Sequence, residues 1–145
     1  MIGIEAIAVE LPGRRVATGA IASAVGLEHG ALLASVGFKS LGRAPEEQDA
    51  SDLCAAAATT LFSTEGISAD TIECAAVVSQ SPVGYGIPHT AAILQPKLGL
   101  PVSCACFDIG LGGSGYIHGL AVLKGFMESN GFSRGLLFTC DLYSR

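Results

Sequence analysis

A glycine-rich turn holds the residues of this sequence that are best placed for chemistry. The apolar run 102–109 leads into Gly110-Leu111-Gly112-Gly113-Ser114-Gly115, after which a helical pattern begins. A strand that turns directly into a helix directs backbone N–H groups and the positive end of the helix dipole at one point. An anion or an activated nucleophile is stabilised at such a point, so this turn is the first candidate site.

One interpretation of the turn is a phosphate-binding loop. The spacing Gly110-x-Gly112-x-x-Gly115 matches the dinucleotide pattern, and Asp141 lies at the end of the next predicted strand, where a ribose-binding carboxylate is expected. The separation between Gly115 and Asp141 is longer than the usual spacing of about 20 residues. No second mononucleotide-binding half follows the motif, which makes this the weaker alternative.

A second interpretation places a nucleophile at the start of the helix. Ser114 has His118 one turn later on the same helix face, which allows an imidazole to approach a hydroxyl. The G-x-S-x-G elbow is incomplete, because Tyr116 stands where its second glycine belongs. A helix-capping serine is the alternative explanation of Ser114.

The elements that position this turn are predicted from periodicity and from turn residues. Four strands are predicted, at 2–9 (buried and central), 72–79, 102–109 and 135–140, with helices at 18–27, 31–36, 53–65, 88–99 and 114–130. Residues 38–50 are predicted to be a surface loop, and Arg14-Arg15 a solvated turn. This alternation favours an α/β fold with a largely parallel sheet.

Composition excludes several classes of partner. Eight scattered basic residues and a net charge of -5 form no stripe that would neutralise a nucleic-acid backbone. No apolar run approaches the ~18 residues of a membrane span, and five cysteines in apolar runs favour a reducing, cytoplasmic setting. Cys104 and Cys106 are expected to pack in the core, and no metal site is predicted. Only 14% of residues are charged, which favours a buried interface with a partner or with a neighbouring domain absent from this chain.

A series of short motifs, in a fixed order, resembles one enzyme family. The motifs are LPG at 11–13, VGF at 36–38, DL at 52–53 before an Ala-rich helix, IPHTAAILQ at 87–95 followed by LG at 98–99, and FDI at 107–109 before the glycines. The chain thereby resembles the N-terminal half of a β-ketoacyl-acyl-carrier-protein synthase III, in the thiolase superfamily.

The resemblance implies a fold, a reaction and partners. It implies a thiolase-like half spanning 1–145, with a five-stranded, mostly parallel mixed sheet, helices on both faces, and the C-terminal half absent from this chain. Family members form homodimers largely through this half. They transfer an acyl group from acyl-coenzyme A to a cysteine and condense it with malonyl-acyl-carrier protein, in fatty acid or polyketide synthesis. The coenzyme A thioester is a substrate, and no permanently bound cofactor is expected.

The resemblance also assigns roles, and the chain departs from several of them. The family cysteine corresponds to Gly113, so Ser114 is left as a candidate substitute nucleophile, displaced by one residue. Ile87 occupies the position that reaches across the dimer into the partner's acyl pocket. Asp108 is expected to bond loop N–H groups and brace the turn, a structural role.

Further departures concern coenzyme A and the missing half. The tryptophan and arginine that hold coenzyme A in the family correspond to Ala31 and Ser35. The histidine and asparagine that assist decarboxylation belong to the C-terminal half. We therefore expect a synthase-like acyltransferase half that cannot condense alone, or alternatively a non-catalytic subunit that pairs with itself or with a complementary C-terminal-half subunit.

Overall fold

The computed structural model describes residues 2–143, which divide into two compact units. The larger unit contains residues 2–10 and 49–141, and the smaller one contains residues 11–48 with 142–143. Each unit is described below by itself.

The larger unit is a three-stranded parallel sheet between helices. Its elements are α3 (Ala50–Glu65), a 3₁₀ turn (Ala69–Thr71), β3 (Cys74–Val78), α4 (Thr90–Lys97), β4 (Ala105–Ile109), α5 (Gly115–Asn130) and β5 (Gly135–Thr139). The strand order is β4-β3-β5, with Cys74 opposite both Ala105 and Gly135. All five residues of β3 are buried, because this central strand is covered on both faces.

Two apolar clusters lie on opposite faces of this sheet. On one face, α3 and α4 contribute Ala58 and Leu94 against Val77 of β3. On the other face, α5 contributes Leu123 and Met127 against Ala76. The predicted α/β class with helices on both sheet faces is therefore confirmed.

Local signals account for the helix ends. Asp49 caps α3 by accepting from Ser51 N and Asp52 N, and the Asp52 carboxylate accepts from Asp49 N in return, which forms a capping box. Gly66 is the C-cap of α3 and Gly131 is the C-cap of α5, both in the left-handed conformation that glycine adopts without steric cost. Helix α3 therefore begins three residues before the predicted start at residue 53.

The smaller unit is a strand pair with two helices. It consists of β1 (Arg14–Ala17), α1 (Thr18–Ala24), α2 (His29–Val36) and β2 (Ser40–Arg43), with β1 and β2 antiparallel. The fully buried Thr18 donates its hydroxyl to the Phe38 carbonyl at 2.6 Å. These strands bring the total to the expected five, distributed over one parallel sheet and one antiparallel pair.

Three secondary-structure predictions were wrong. Residues 2–9 form no strand, and the side chains of Ile4, Ile7 and Val9 are 57–74% exposed. The segment instead lines a groove of about 870 Å³ together with β5. Conversely, Arg14–Ala17 and Ser40–Arg43 are strands where a turn and a loop were expected. These predictions failed because local composition indicates only a tendency to form a strand. The hydrogen bonds of a sheet depend on a partner segment that is distant in the sequence.

Candidate functional site

The turn between β4 and α5 forms the candidate site. Strand β4 ends at Ile109, residues 110–114 make the turn, and α5 begins at Gly115 with its N–H bonded to the Gly112 carbonyl at 2.6 Å. Helix α5 is 16 residues long, so its amino end carries the full partial positive charge of a helix terminus. The geometry offers a stabilised position for negative charge in front of this helix.

Gly113, at which the resemblance places the family nucleophile, is exposed and has free space around it. A Cβ built on Gly113 would meet no heavy atom within 4 Å, and its φ is not in the positive range. Ser114 is the N-cap residue of α5, with φ -77° and ψ -7°, and its hydroxyl makes no capping hydrogen bond. The turn therefore has room for a side chain at Gly113, and its serine is exposed beside that space.

The structure does not join Ser114 to His118 by their side chains. The link between them is the helical bond from His118 N to the Ser114 carbonyl, at 3.3 Å. Both residues are exposed, and within residues 2–143 no hydrogen bond connects the hydroxyl with the imidazole. No imidazole base is positioned at Ser114 in this arrangement.

The later glycines of the motif have a packing role. A Cβ on Gly115 would come within 2.4 Å of Val78 Cγ1, and one on Gly119 within 2.7 Å of Val78 Cγ2. Because both glycines are buried, α5 lies closer to β3 than any larger residue would allow. This close approach explains Gly115 without a bound phosphate.

Asp141 accepts three hydrogen bonds from the segment that directly follows β3. Its Oδ1 atom accepts from Ser79 Oγ at 2.9 Å, from Gln80 N at 2.8 Å and from Ser81 N at 3.1 Å. The carboxylate therefore ties the end of β5 to the segment after β3. These bonds account for Asp141 as a structural residue without a bound ribose.

Asp108 connects β4 to the amino end of α4. Its Oδ2 atom accepts from Thr90 N at 2.7 Å and its Oδ1 atom from Ala91 N at 2.8 Å. His89 caps the same helix through Nδ1, which accepts from Ala92 N at 3.1 Å and lies 3.7 Å from Asp108 Oδ1. These bonds hold the start of α4 against the strand that leads into the glycine turn.

A shallow depression at the carboxyl edge of β3 and β4 contains residues that the sequence did not single out for a site. Seven residues line it: Ser79, Gln80, Pro82, Gly86, His89, Asp108 and Gly110. The Gln80 side chain lies so close to Gly112 that an added Cβ would fall 2.6 Å from it. The sequence indicated a site role for Gln80 through its position alone. Gln80 follows a buried parallel strand, and ligands bind at the carboxyl ends of such strands.

The positions at which the resemblance places acyl-pocket and coenzyme A contacts are distant from the turn along the chain. Ile87 is 91% exposed in the loop before α4. Ala31 and Ser35 belong to α2, in the smaller unit, and both are exposed.

The cysteines beside the turn do not offer a thiolate. Burial is the largest cause that raises the pKa of Cys104, to about 12, and burial also raises that of Cys106. Within residues 2–143, no group of three or more His, Cys, Asp or Glu side chains could hold a metal ion. Among the same residues, no helix is long and apolar enough to cross a membrane.

The chain is similar in sequence and in fold to known proteins. No family model matches the chain. It is 28% identical over 135 residues to β-ketoacyl-[acyl-carrier-protein] synthase III of Neisseria meningitidis, an alignment covering 93% of this chain and 42% of that relative. A crystal structure of 3-oxoacyl-(acyl-carrier-protein) synthase III matches it with a TM-score of 0.90 and 31% identity, over 98% of this chain and 42% of that one.

A third protein extends the comparison within the same fold. MvaS in complex with 3-hydroxy-3-methylglutaryl coenzyme A matches with a TM-score of 0.80 and 25% identity, over 92% of this chain and 32% of that one. The chain thus spans less than half the length of each of these three proteins. Sequence and structure together identify it as a thiolase-like chain related to β-ketoacyl-acyl-carrier-protein synthase III, corresponding to the N-terminal half of such a protein.

Proposed function

We propose that this chain is the N-terminal half of a synthase-III-like acyltransferase site that lacks its acyl-accepting residue. It supplies the amino end of α5 and one side of the site for a coenzyme A thioester, whereas Gly113 provides no nucleophile. The observation that carries this proposal is the open space at Gly113 in front of α5. Covalent acyl transfer and condensation with malonyl-acyl-carrier protein then require groups that this chain does not contribute.

The proposed chemistry explains why a cysteine is needed at this position. A thiolate attacks the thioester carbonyl, the carbon–sulfur bond to coenzyme A breaks, and coenzyme A leaves as its thiolate. A helix amino end favours the attacking thiolate by lowering a thiol pKa that is ordinarily about 8.5. Ser114, the candidate substitute, has a hydroxyl and no side-chain base bonded to it, so we expect it to remain unacylated.

The test is covalent labelling with radiolabelled acetyl-coenzyme A. The unmodified chain should take up no label, whereas Gly113→Cys should gain an acyl adduct on the introduced thiol. Gly110→Cys is the matched control, because Gly110 also has no heavy atom within 4 Å of an added Cβ but lies three residues earlier in the turn, directly after β4. Labelling of the unmodified chain at Ser114, abolished by Ser114→Ala, would contradict the proposal, and so would equal labelling of the two cysteine variants.

A second candidate function is non-catalytic pairing, as a homodimer or with a complementary C-terminal half. Strand β4 lies at one edge of the sheet, and the nearby loops expose Tyr85, Ile87 and Val102 at 91–101%. Apolar side chains that protrude from loops beside a sheet edge are suited to burial against a partner. Light scattering should then give twice the chain mass of 14.7 kDa for a homodimer, and Ile87→Asp should lower that mass. A monodisperse monomer that binds no C-terminal half would contradict pairing.

A further inference from the structure

The side chain of Gln80 reaches from the depression at the carboxyl edge of β3 to the glycine turn. Gln80 lines that depression, which has a volume of about 650 Å³. A Cβ added at Gly112 would lie 2.6 Å from Cδ and Nε2 of Gln80 and 2.8 Å from its Oε1. The end of the side chain therefore lies directly against Gly112, the residue that precedes Gly113 in the turn.

Hydrogen bonds hold the backbone from which this side chain extends. Ser79 N donates to the Ile109 carbonyl at 3.1 Å, which joins the end of β3 to the last residue of β4. Gln80 N donates to Asp141 Oδ1 at 2.8 Å, which joins the next residue to the segment after β5. The backbone of Gln80 is thereby fixed relative to both neighbouring strands.

Two adjacent glycines of the turn differ in the space that a side chain would find. A Cβ added at Gly113 meets no heavy atom of residues 2–143 within 4 Å, whereas the space at Gly112 is taken by the carboxamide of Gln80. A group carried on residue 113 therefore has room close to the backbone. On the side of Gly112, that room ends at Gln80, which the depression has as one of its walls.

We propose that Gln80 is a specificity-determining residue that keeps an acyl chain carried at position 113 out of the depression and so limits the site to short acyl groups. The proposal rests on the proposed function for the identity of this group, which is the acyl group of a coenzyme A thioester. It rests on the contact between Gln80 and Gly112 for the limit itself. The bulk of the Gln80 side chain is the restricting property, because the contact is one of close approach.

The test attaches an alkyl chain at position 113 without using coenzyme A. The Gly113→Cys protein is equilibrated, in excess 2-mercaptoethanol, with the mixed disulfide of 2-mercaptoethanol and either ethanethiol or hexanethiol. Peptide mass spectrometry gives the share of the introduced thiol that carries each alkyl group. With Gln80 present, the hexyl share should be no higher than the ethyl share. In Gln80→Ala, the hexyl group should gain at least about fivefold over the ethyl group, because its additional methylene groups then bury apolar surface in the depression.

Two further variants are controls for the loss of bulk at Gln80. Gln80→Met keeps the length of the side chain and should keep the ratio found with Gln80. Ser81→Ala changes the next side chain, which is outside the seven residues that line the depression, and should also keep that ratio. Gln80 is exposed, so substitutions at this position leave the core of the larger unit intact.

The outcomes separate this proposal from the proposed function. An unchanged ratio in Gln80→Ala would overturn it, and so would an equal gain in Gln80→Met or a hexyl preference with Gln80 in place. These ratios do not depend on acyl transfer. Failure of the proposed function would be seen instead as the absence of an acyl adduct on Gly113→Cys after treatment with acetyl-coenzyme A, whatever the ratios are.

Discussion

Glycines in the turn before α5 and glycines within α5 lie in opposite surroundings. At the vacant glycines, Gly110 and Gly113, a built Cβ meets no heavy atom within 4 Å. At the packed glycines, Gly115 and Gly119, it meets the two γ-methyl groups of Val78 at 2.4 and 2.7 Å. A packed glycine lets a helix approach a strand, whereas a vacant glycine leaves a position empty where chemistry could be placed. The same glycine-rich segment thus contains glycines that the packing of α5 on β3 requires and glycines that leave open space at the candidate site.

Gly115→Ala should produce the largest loss of stability. Its Cβ would also lie 3.2 Å from Leu111 Cβ, and Val78 is 2% exposed in the central strand and cannot move aside. Overpacking of this kind costs about 3 kcal/mol of unfolding free energy. Urea denaturation followed by circular dichroism measures it.

The matched test of this first prediction is a double-mutant cycle with Val78→Ala. That substitution removes the methyl group that Gly115→Ala would strike, so the second change should cost much less in the Val78→Ala background. Additive losses would show that Gly115 and Val78 are not in the contact described above.

Asp108→Ala should come next, because it removes the tie between α4 and the strand that leads into the vacant side of the turn. The backbone N–H groups of Thr90 and Ala91, both at most 1% exposed, would lose their acceptor. A buried donor left without a partner costs about 2 kcal/mol. Thermal unfolding measures the loss, and amide exchange should speed up at these two residues. Exchange unchanged at both amides would contradict the bonding described.

The glycine comparison also shows what the sequence could reveal. Most elements of the larger unit follow from apolar periodicity and from glycine at helix ends, as at Gly66 and Gly131. The pairing of β1 with β2 was missed, because each strand has four residues and its ladder depends on a segment far along the chain. Likewise, the sequence alone does not distinguish Gly113 from Gly115, because the difference between them is the proximity of Val78 on β3. The available signal was the four-residue spacing of Gly115 and Gly119, which places both glycines on one helix face.

Gly119→Ala should cost less than the two preceding changes. Its Cβ would lie 2.7 Å from Val78 Cγ2 and 3.1 Å from Leu137 Cδ1, and the leucine is the more adaptable neighbour. Alanine in a helix interior also gains up to about 1 kcal/mol over glycine, which offsets part of the overpacking. A net loss of about 1 kcal/mol is expected from urea denaturation. A net gain in stability would show that Gly119 is not closely packed against Val78 and Leu137.

Gly113→Ala should have the smallest effect on the unfolding free energy, because Gly113 is one of the two vacant glycines. The added methyl group meets nothing, the φ of Gly113 is not positive, and the residue is exposed, so the change in unfolding free energy should stay within about 0.5 kcal/mol. Gly110→Ala is the parallel control with the same expectation. Neither change should couple to Val78→Ala in urea denaturation. If Gly113→Ala instead destabilised the chain as much as Gly119→Ala, a side chain at this position would meet neighbouring atoms in solution, and the open space at Gly113 that carries the proposed function would be contradicted.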